Sequence, residues 1–435
     1  MALPIKLYFV AIALPVYFQA GPLLMSGVRA LLIVLIIPIC INLLAGKYGR
    51  ILLTDILFFL FSVWIIITLS INSPASALSF GGSVAVEFFG GYLLARAYIR
   101  SAQDMAAMCR ILFYVVLFTI PFALYEGQTG RAFIPELIRK LPGLNSVEDF
   151  YNELAGRRLG LERAQVIFAH PIHYGLFCST AFSLTVVGLQ NLFTKLQRCV
   201  AGALICFAAF LSLSSGAILP LFLQSGFILW SVGLWSVKSK WFILLGLITL
   251  CYVTIDLLSN RTPIDVFMTY ATFSPGNAYW RKSIFEWGMK NVWANPFVGI
   301  GLNNWFRPWW MFVDSVDNFW LLSAMRYGII GFAMLAIGFF LPIWNIAWRK
   351  IDEKSPAWPF RRAWIITFIG LTLTLSTVDV WATMFAHVAF LFGAGMWFLT
   401  TPLEMITPTL VATPHQSREK GVVYTRFGHK KKPIS

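Results

Sequence analysis

Long runs of apolar residues alternate with short polar segments along most of the chain. Many runs have about 17 residues or more, enough for a helix to cross a bilayer core of roughly 30 Å. They are continuously apolar, without the residue-by-residue alternation of a membrane β-barrel. The predicted spans are approximately residues 3–20, 23–45, 51–71, 80–99, 110–125, 166–189, 197–214, 216–237, 240–258, 317–347, 363–380 and 383–400. The pattern therefore predicts an all-α polytopic membrane protein with about 12 transmembrane helices.

Composition supports this class and suggests the domain organisation. The chain has 435 residues, of which 58% are hydrophobic and 12% charged, and these values exclude an ordinary soluble protein. Two longer polar segments, about residues 126–165 and 259–316, interrupt a single membrane domain, residues 1–400. Residues 401–435 carry several prolines ahead of a basic end, and we expect them to form a disordered tail.

Basic residues concentrate in alternate short loops. They are Lys47, Arg50, Arg96, Arg100, Arg110, Lys195, Arg198, Lys238, Lys240, Arg349, Lys350, Lys354, Arg361 and Arg362. The intervening short loops contain no Lys or Arg, so the positive-inside rule predicts cytoplasmic termini and places both long segments outside. The net charge of +15 is then explained by orientation and by contact with anionic bilayer lipids, and no nucleic-acid partner is expected.

The outer segments are nevertheless rich in basic residues. These are Arg29, Arg131, Arg139, Lys140, Arg157, Arg158, Arg163, Arg261, Arg281, Lys282, Lys290, Arg307 and Arg326. Because the planar fork of arginine binds phosphate oxygens in pairs, an outward basic cavity would suit a lipid-linked diphosphate. The other interpretation is solvated charge, since long loops escape the orientation rule.

The motif HPIHYG lies after the first outer segment, at the outer mouth of the sixth predicted span, and its His170 and His173 are candidate proton carriers. The alternative is a structural role at the membrane interface, with Pro171 starting a helix. Upstream, Ser146 followed by Glu148 and Asp149 predicts a short surface helix that leads to Gly156.

The second outer segment and the start of the following span contain seven of the 17 tryptophans. They are Trp280, Trp287, Trp293, Trp305, Trp309, Trp310 and Trp320. An aromatic belt at the headgroup level is one interpretation, and stacking against sugar rings is the other. Between them, Gly299-Ile300-Gly301 lacks the third glycine of a nucleotide fingerprint and instead predicts a tight turn after Asn295-Pro296.

Four motifs along the chain resemble the O-antigen ligase/polymerase superfamily of bacterial membrane glycosyltransferases. They are Arg281 in YWRKSIFEWG, then Asn295-Pro296-x-x-Gly299-x-Gly301, then Asp317-Asn318 followed by Arg326-Tyr327-Gly328-x-x-Gly331, and LSLSSGAIL at 211–219 with HPIHYG upstream. The resemblance covers most of the chain by topology. It implies a multi-pass protein of the bacterial inner membrane with a periplasmic active site.

Two residues differ from the family's usual motif residues, and they favour one kind of member over another. Asp317 stands where ligases usually carry His, and Ser215 stands where many members carry Arg. We therefore expect an exopolysaccharide or O-antigen polymerase. Such an enzyme transfers glycan from undecaprenyl diphosphate to a hydroxyl of another lipid-linked repeat unit. A ligase that transfers glycan to lipid A-core or another acceptor is the alternative within the family.

The expected site combines arginines with a carboxylate. Arg281 and Arg163 would stabilise the leaving diphosphate, with Arg158 and Arg326 in support. Asp317 would be the general base, although an N-cap role is equally open. The remaining substrate-binding candidates are Asn318, Trp280, Trp305, His170, His173 and Ser215. No cofactor is expected because the substrate is already activated, and no metal because arginine would supply the positive charge.

A lipid-linked-oligosaccharide flippase or polysaccharide exporter is the main rival from another class. Transporters tend to have broken helices and polar groups near the midplane. Here polarity collects in the outer segments, which favours surface chemistry. Glu87 is the exception, an acidic residue deep in a predicted span that could pair with Arg29 or line the cavity. A chain-length regulator and export machinery are further expected partners.

Overall fold

A computed structural model describes residues 1–21, 23–148, 157–260, 263, 266 and 275–402, with backbone only for 275–278. This part of the chain is predominantly helical. The helices are α1 (Leu3–Ala13), α2 (Gly27–Leu44), α3 (Leu53–Asn72), α4 (Pro74–Tyr98), α5 (Ala102–Thr129), α6 (Phe133–Arg139), α7 (Pro171–Val186), α8 (Lys195–Leu211), α9 (Ser215–Gly233), α10 (Lys240–Leu258), α11 (Pro275–Ala294), α12 (Phe319–Trp348), α13 (Trp358–Leu375), α14 (Ala382–Gly393) and α15 (Trp397–Thr400). The predicted tail and most of the predicted helix over 146–156 lie outside the described residues.

Nine helical stretches in the described part are long and apolar enough to cross a membrane. They are α2, α3, α4, α5, α7 with the short turn Gly188–Asn191, α9, α10, α12 and the segment Ala382–Thr400. The helical membrane character is thus confirmed. The total of about 12 spans stays a prediction, because α1, α8 and α13 lie at the other predicted positions without meeting the same criteria.

The first predicted span, 3–20, is wrong in its extent. α1 ends at Ala13, and Tyr17–Ala20 (β1) pairs antiparallel with Leu23–Ser26 (β2). Pro15 has no backbone N–H to continue a helix, and Gly21 supplies the positive φ of +61° at the turn. Apolar composition missed this change because strands and helices both use such residues. The helix of the second predicted span, 23–45, likewise begins later than predicted, at Gly27.

Arginines join several helix ends at one end of the bundle. Arg96, in the last turn of α4, donates hydrogen bonds to the carbonyls of Tyr48 and Arg50, between α2 and α3. Arg349, after α12, donates to the carbonyls of Phe398 and Thr401. The loops that charge alternation assigned to the cytoplasm are therefore neighbours. Which side of a membrane they face stays a prediction.

Part of the second predicted loop, 259–316, is a packed unit. It contains the 20-residue helix α11, which packs against the start of α12. Trp305, Met311 and Val316 form a small core with Leu321 and Met325 of α12. This corrects the expectation of a loop throughout. The polar positions in α11 hid the helix, since its sequence is not apolar overall.

α12 is interrupted at Gly328, which has φ +70° and ψ 178°. Its neighbouring carbonyls are satisfied by the turn at 299–301: Ile300 N donates to Met325 O at 2.8 Å, and Gly301 N donates to Arg326 O at 3.1 Å. In return Ile329 N donates to Pro296 O at 2.7 Å. The predicted tight turn is confirmed, with positive φ at both glycines. Two of the four sequence motifs thus bind each other through their backbones.

Candidate functional site

A cavity of about 150 Å³ lies where α2, α4, α12 and the loop between α13 and α14 meet. Its walls combine charged and aromatic side chains from elements far apart in sequence. They include Arg29, Phe80, Glu87, Phe319, Arg326, Asp379 and Trp381. We call this space the central cavity. It is adjacent to the N-terminal end of α12, where the candidate residues Asp317 and Asn318 lie.

An ion pair lines one wall of the central cavity. Arg29 Nη2 lies 2.8 Å and Arg29 Nε 3.3 Å from Glu87 Oε1, and Arg29 also donates to the carbonyl of Leu24 in β2. The Glu87 side chain is 3% exposed and that of Arg29 is 15% exposed. Glu87 lies in a π-helical turn of α4, Val86–Gly90, a distortion often found at functional sites. Glu87 therefore both pairs with Arg29 and lines the cavity.

Asp379 and Arg326 contribute the second pair of opposite charges. Burial raises the pKa of Asp379 to about 7, against the opposing effect of Arg326. The Arg326 guanidinium carbon lies 5.6 Å from the centroid of the Phe80 ring, a cation–π geometry. Arg326 is held at this point by the helix break at Gly328, two residues later. A carboxylate that titrates near neutral pH is suited to accept a proton.

Asp317 and Arg281 form a third opposite-charge pair beside the first two. Loss of solvent around the carboxyl group raises the pKa of Asp317, although the residue as a whole is exposed, and Arg281 opposes this shift. Burial lowers the pKa of Arg281, which remains a cation. Asp317 also raises the pKa of Asp379, so the two carboxylates are close enough to interact. Phe319 N donates to Val378 O at 3.3 Å and links the two segments.

The arginines of the first outer segment lie over the LSLSSG motif. Arg158 Nη1 donates to Leu213 O at 2.8 Å, and Arg163 Nε lies 3.4 Å from Ser212 O. Leu213 has φ +47°, so a strained turn presents these carbonyls. Burial and the nearby Arg158 lower the pKa of Arg163, so the two cations lie close to each other. Ser215 is half-buried in the first position of α9, directly after this turn.

The two histidines connect the arginines to the cavity. His170 is the N-cap of α7, with Nδ1 accepting from Ile172 N at 3.1 Å, as the structural interpretation expects. Burial and the nearby Arg163 lower the pKa of His170 to about 4, so it is a poor proton donor at neutral pH. His173 is buried, with Nε2 3.4 Å from the backbone carbonyl of Asp379. Its ring centroid lies 3.9 Å from that of Trp381.

Three of the candidates have structural roles in this fold. Asn318 is the N-cap of α12, and its Oδ1 accepts from Leu321 N at 3.0 Å. Trp305 is 6% exposed and donates its indole N–H to Asp314 O, so its ring belongs to the small core. Trp280 packs at 6.0 Å from Trp310 beside that core. The N-cap expected for Asp317 thus belongs to Asn318.

Asp379 and Trp381 are the cavity residues that sequence reasoning missed. The predicted span 363–380 includes Asp379, and the short loop 377–383, which contains both residues, has no Lys or Arg. The available signal was an ionisable residue inside an apolar run, the criterion that singled out Glu87. α13 in fact ends at Leu375, so both residues belong to the loop 376–381.

Three or more His, Cys, Asp or Glu side chains do not come together as a metal-binding group within the described residues. The charged groups of the site are the three pairs Arg29–Glu87, Arg326–Asp379 and Arg281–Asp317. No model of a known protein family matches the chain, and no curated protein gives a significant match.

Proposed function

We propose that the protein is a polysaccharide polymerase that acts on lipid-linked glycans at the outer face of a bacterial inner membrane. The observation that carries the proposal is a cavity beside membrane-spanning helices that is lined by Arg29, Glu87, Arg326 and Asp379, with the interacting Arg281 and Asp317 adjacent to it. Two further arginines, Arg158 and Arg163, lie beside His170 at the adjoining turn. Cations beside a proton acceptor are what transfer from a lipid diphosphate requires.

The reaction is a displacement at the anomeric carbon of the sugar bound to undecaprenyl diphosphate. The acceptor hydroxyl oxygen forms a bond to this carbon, and the bond from the carbon to the diphosphate oxygen breaks. The hydroxyl proton passes to a carboxylate, and the electron pair leaves with the lipid diphosphate. The chain is extended by one transfer, with no change in oxidation state.

Arginine and aspartate divide this work. Arg281 and Arg326 would stabilise charge on the diphosphate, since a preorganised donor in such a site contributes ~3 kcal/mol to the transition state. Arg163 and Arg158 lie farther along the same face and would hold phosphate or sugar oxygens. Asp379 is the preferred base because its pKa lies near 7. The negative charge of the nearby Asp317 would help to raise that pKa.

The helix break in α12 is the observation that favours the transporter alternative. The carbonyls of Met325, Arg326 and Tyr327 at the break accept hydrogen bonds from Ile300, Gly301 and Trp64, respectively. They are therefore occupied by the protein and not arranged around a passage. Ligation to lipid A-core shares the site and differs only in the acceptor.

Purified protein in proteoliposomes with lipid-linked repeat units tests the proposal. Longer glycans on the lipid support polymerisation, transfer to added lipid A-core supports ligation, and movement of the substrate across the bilayer without a new bond supports a flippase. We expect Arg281→Ala to lower the rate at least 100-fold with normal membrane insertion. The matched control is Arg307→Ala, because the described contacts of Arg307 lie within its own segment, at Met311 O, Asn304 and Trp305. A normal rate for Arg281→Ala removes Arg281 from the site.

A further inference from the structure

Trp381 is the one tryptophan among the residues that line the central cavity. It is 43% exposed, whereas Trp305, a sequence candidate for sugar stacking, is 6% exposed. An exposed indole on the wall of a cavity between membrane helices leaves apolar surface uncovered beside charged groups. An aromatic face beside a few polar groups in a cavity is suited to bind a ligand that has an apolar face.

The indole of Trp381 packs against two histidine rings. The ring of His173 lies 3.9 Å away at an interplanar angle of 62°, and the ring of His170 lies 5.9 Å away. On the chain, Trp381 is followed by Ala382 with φ +50°, a conformation that L residues rarely adopt. Its contacts with the histidines and its backbone therefore fix the ring before any ligand arrives, which reduces the entropy lost on binding.

The Trp381 ring lies near a carboxylate and near arginines of the site. Asp379, the preferred base, lies two residues earlier in the same loop, and Arg326 lines the same cavity. On the other side, His170 connects Trp381 to Arg163. A ligand bound on the indole face would thus lie near a carboxylate and near cations.

We propose that Trp381 is the stacking surface for a sugar ring of the lipid-linked substrate, adjacent to the diphosphate. This rests on the proposed function and adds to it a residue that determines sugar specificity. A pyranose has a face of C–H groups that packs on the electron-rich face of an indole, while its hydroxyls remain free for polar partners. The proposal moves the sugar-stacking role from the second outer segment to the loop between α13 and α14.

Binding of two probes tests this without turnover. The probes are undecaprenyl diphosphate and the same lipid carrying one repeat unit, each titrated into purified protein in nanodiscs. Wild-type protein should bind the glycosylated lipid more tightly. Trp381→Leu keeps an apolar side chain but has no aromatic face. We expect it to lower the ratio of the two affinities roughly tenfold. Trp381→Phe should keep most of it.

The control variant is Trp235→Ala, which removes a tryptophan that is 81% exposed and lies away from the cavity, between α9 and α10. It should bind both probes like wild type. An equal loss of both probes in Trp381→Leu, or no loss, overturns the sugar-stacking role, as does a wild-type protein that binds both equally. Selective binding without glycan lengthening would preserve the sugar subsite and refute the polymerase proposal instead.

Discussion

At the scale of single residues, the site is organised by pairing opposite charges that differ in burial. Arg29 and Glu87 are in direct contact, so their charges are largely neutralised by each other. Asp379 and Arg326 interact through space, and burial of Asp379 outweighs the attraction and raises its pKa to about 7. Asp379 is thus the carboxylate whose charge changes near physiological pH. Asp379 can therefore accept a proton near neutral pH, while the arginines around it keep their positive charge.

Activity should therefore depend on the ionisation of Asp379. Because the base form is needed and the pKa is about 7, we expect kcat/KM to rise about tenfold per pH unit below pH 7 and to level off above it. Asp379→Asn should lower kcat/KM at least 100-fold at pH 8, while Asp379→Glu should retain a pH-dependent rate. The measurement is the pH profile of glycan lengthening in proteoliposomes.

Asp314→Asn is the control for this profile, since Asp314 is exposed and takes part in the described hydrogen bonds through its backbone carbonyl, which accepts from Trp305. Its profile should match wild type. A wild-type profile that is flat between pH 5 and pH 8, or an active Asp379→Asn variant, would show that Asp379 is not the base.

At the scale of elements, the first part of α12 and the turn at 299–301 form one unit. The break at Gly328 exposes carbonyls that a continuous helix would use, and the turn supplies the missing N–H donors. Close backbone approach is possible because Gly299 and Gly328 have no side chains, and a Cβ at Gly301 would instead meet the side chain of Asn72. This unit fixes the position of Arg326, the last but one residue before the break. In sequence, the two motifs looked like separate weak matches, and their backbone pairing explains why both are present.

Gly328→Ala should destabilise the protein. A Cβ there would overlap the carbonyl of Phe297, and the φ of +70° is strained for alanine. We expect a loss of ~2 kcal/mol or more in stability and a lower unfolding temperature in detergent. The matched control is Gly226→Ala in α9, where a Cβ meets no heavy atom within 4 Å. That change should be neutral or stabilise by up to ~1 kcal/mol. Equal unfolding temperatures for the two variants would contradict this role for Gly328.

At the scale of the whole molecule, the helix ends separate into two groups. Arginine bonds join Tyr48, Arg50 and the end of α4 at one end. At the other, Asn72 donates to Val298 O at 3.1 Å, and Tyr17 pairs with Asn145. Which of these ends faces outward stays a prediction from charge alternation. Of the cavity residues, Arg326 belongs with the second group, because its carbonyl accepts from Gly301, three residues after Val298.

Labelling with a membrane-impermeant maleimide tests this topology. In a background where the exposed Cys199 and Cys251 are replaced by Ala, Ser315→Cys should react in intact cells, because Ser315 is exposed in the outer segment. Lys354→Cys, also exposed, should react only after the membrane is opened. Reaction of Lys354→Cys in intact cells would reverse the orientation and place the proposed site in the cytoplasm.

The sequence alone determined the class of the fold and the approximate position of most helices, because the length of an apolar run is a local property set by bilayer thickness. It also selected Arg281, Asp317, Arg326 and Arg163, since charges beside apolar spans are conspicuous. The hairpin after α1 and the helix α11 were missed where apolar content and secondary structure diverge.

Only the tertiary structure decided which side chains share the central cavity. Glu87, Arg326 and Asp379 are more than 50 residues apart in sequence and lie on separate elements. No local pattern therefore indicates that they share a cavity. The same packing buried Trp305 in a small core and left Trp381 exposed beside Asp379. Residue types predicted the chemistry, whereas the packing of distant helices determined which residues are placed to perform it.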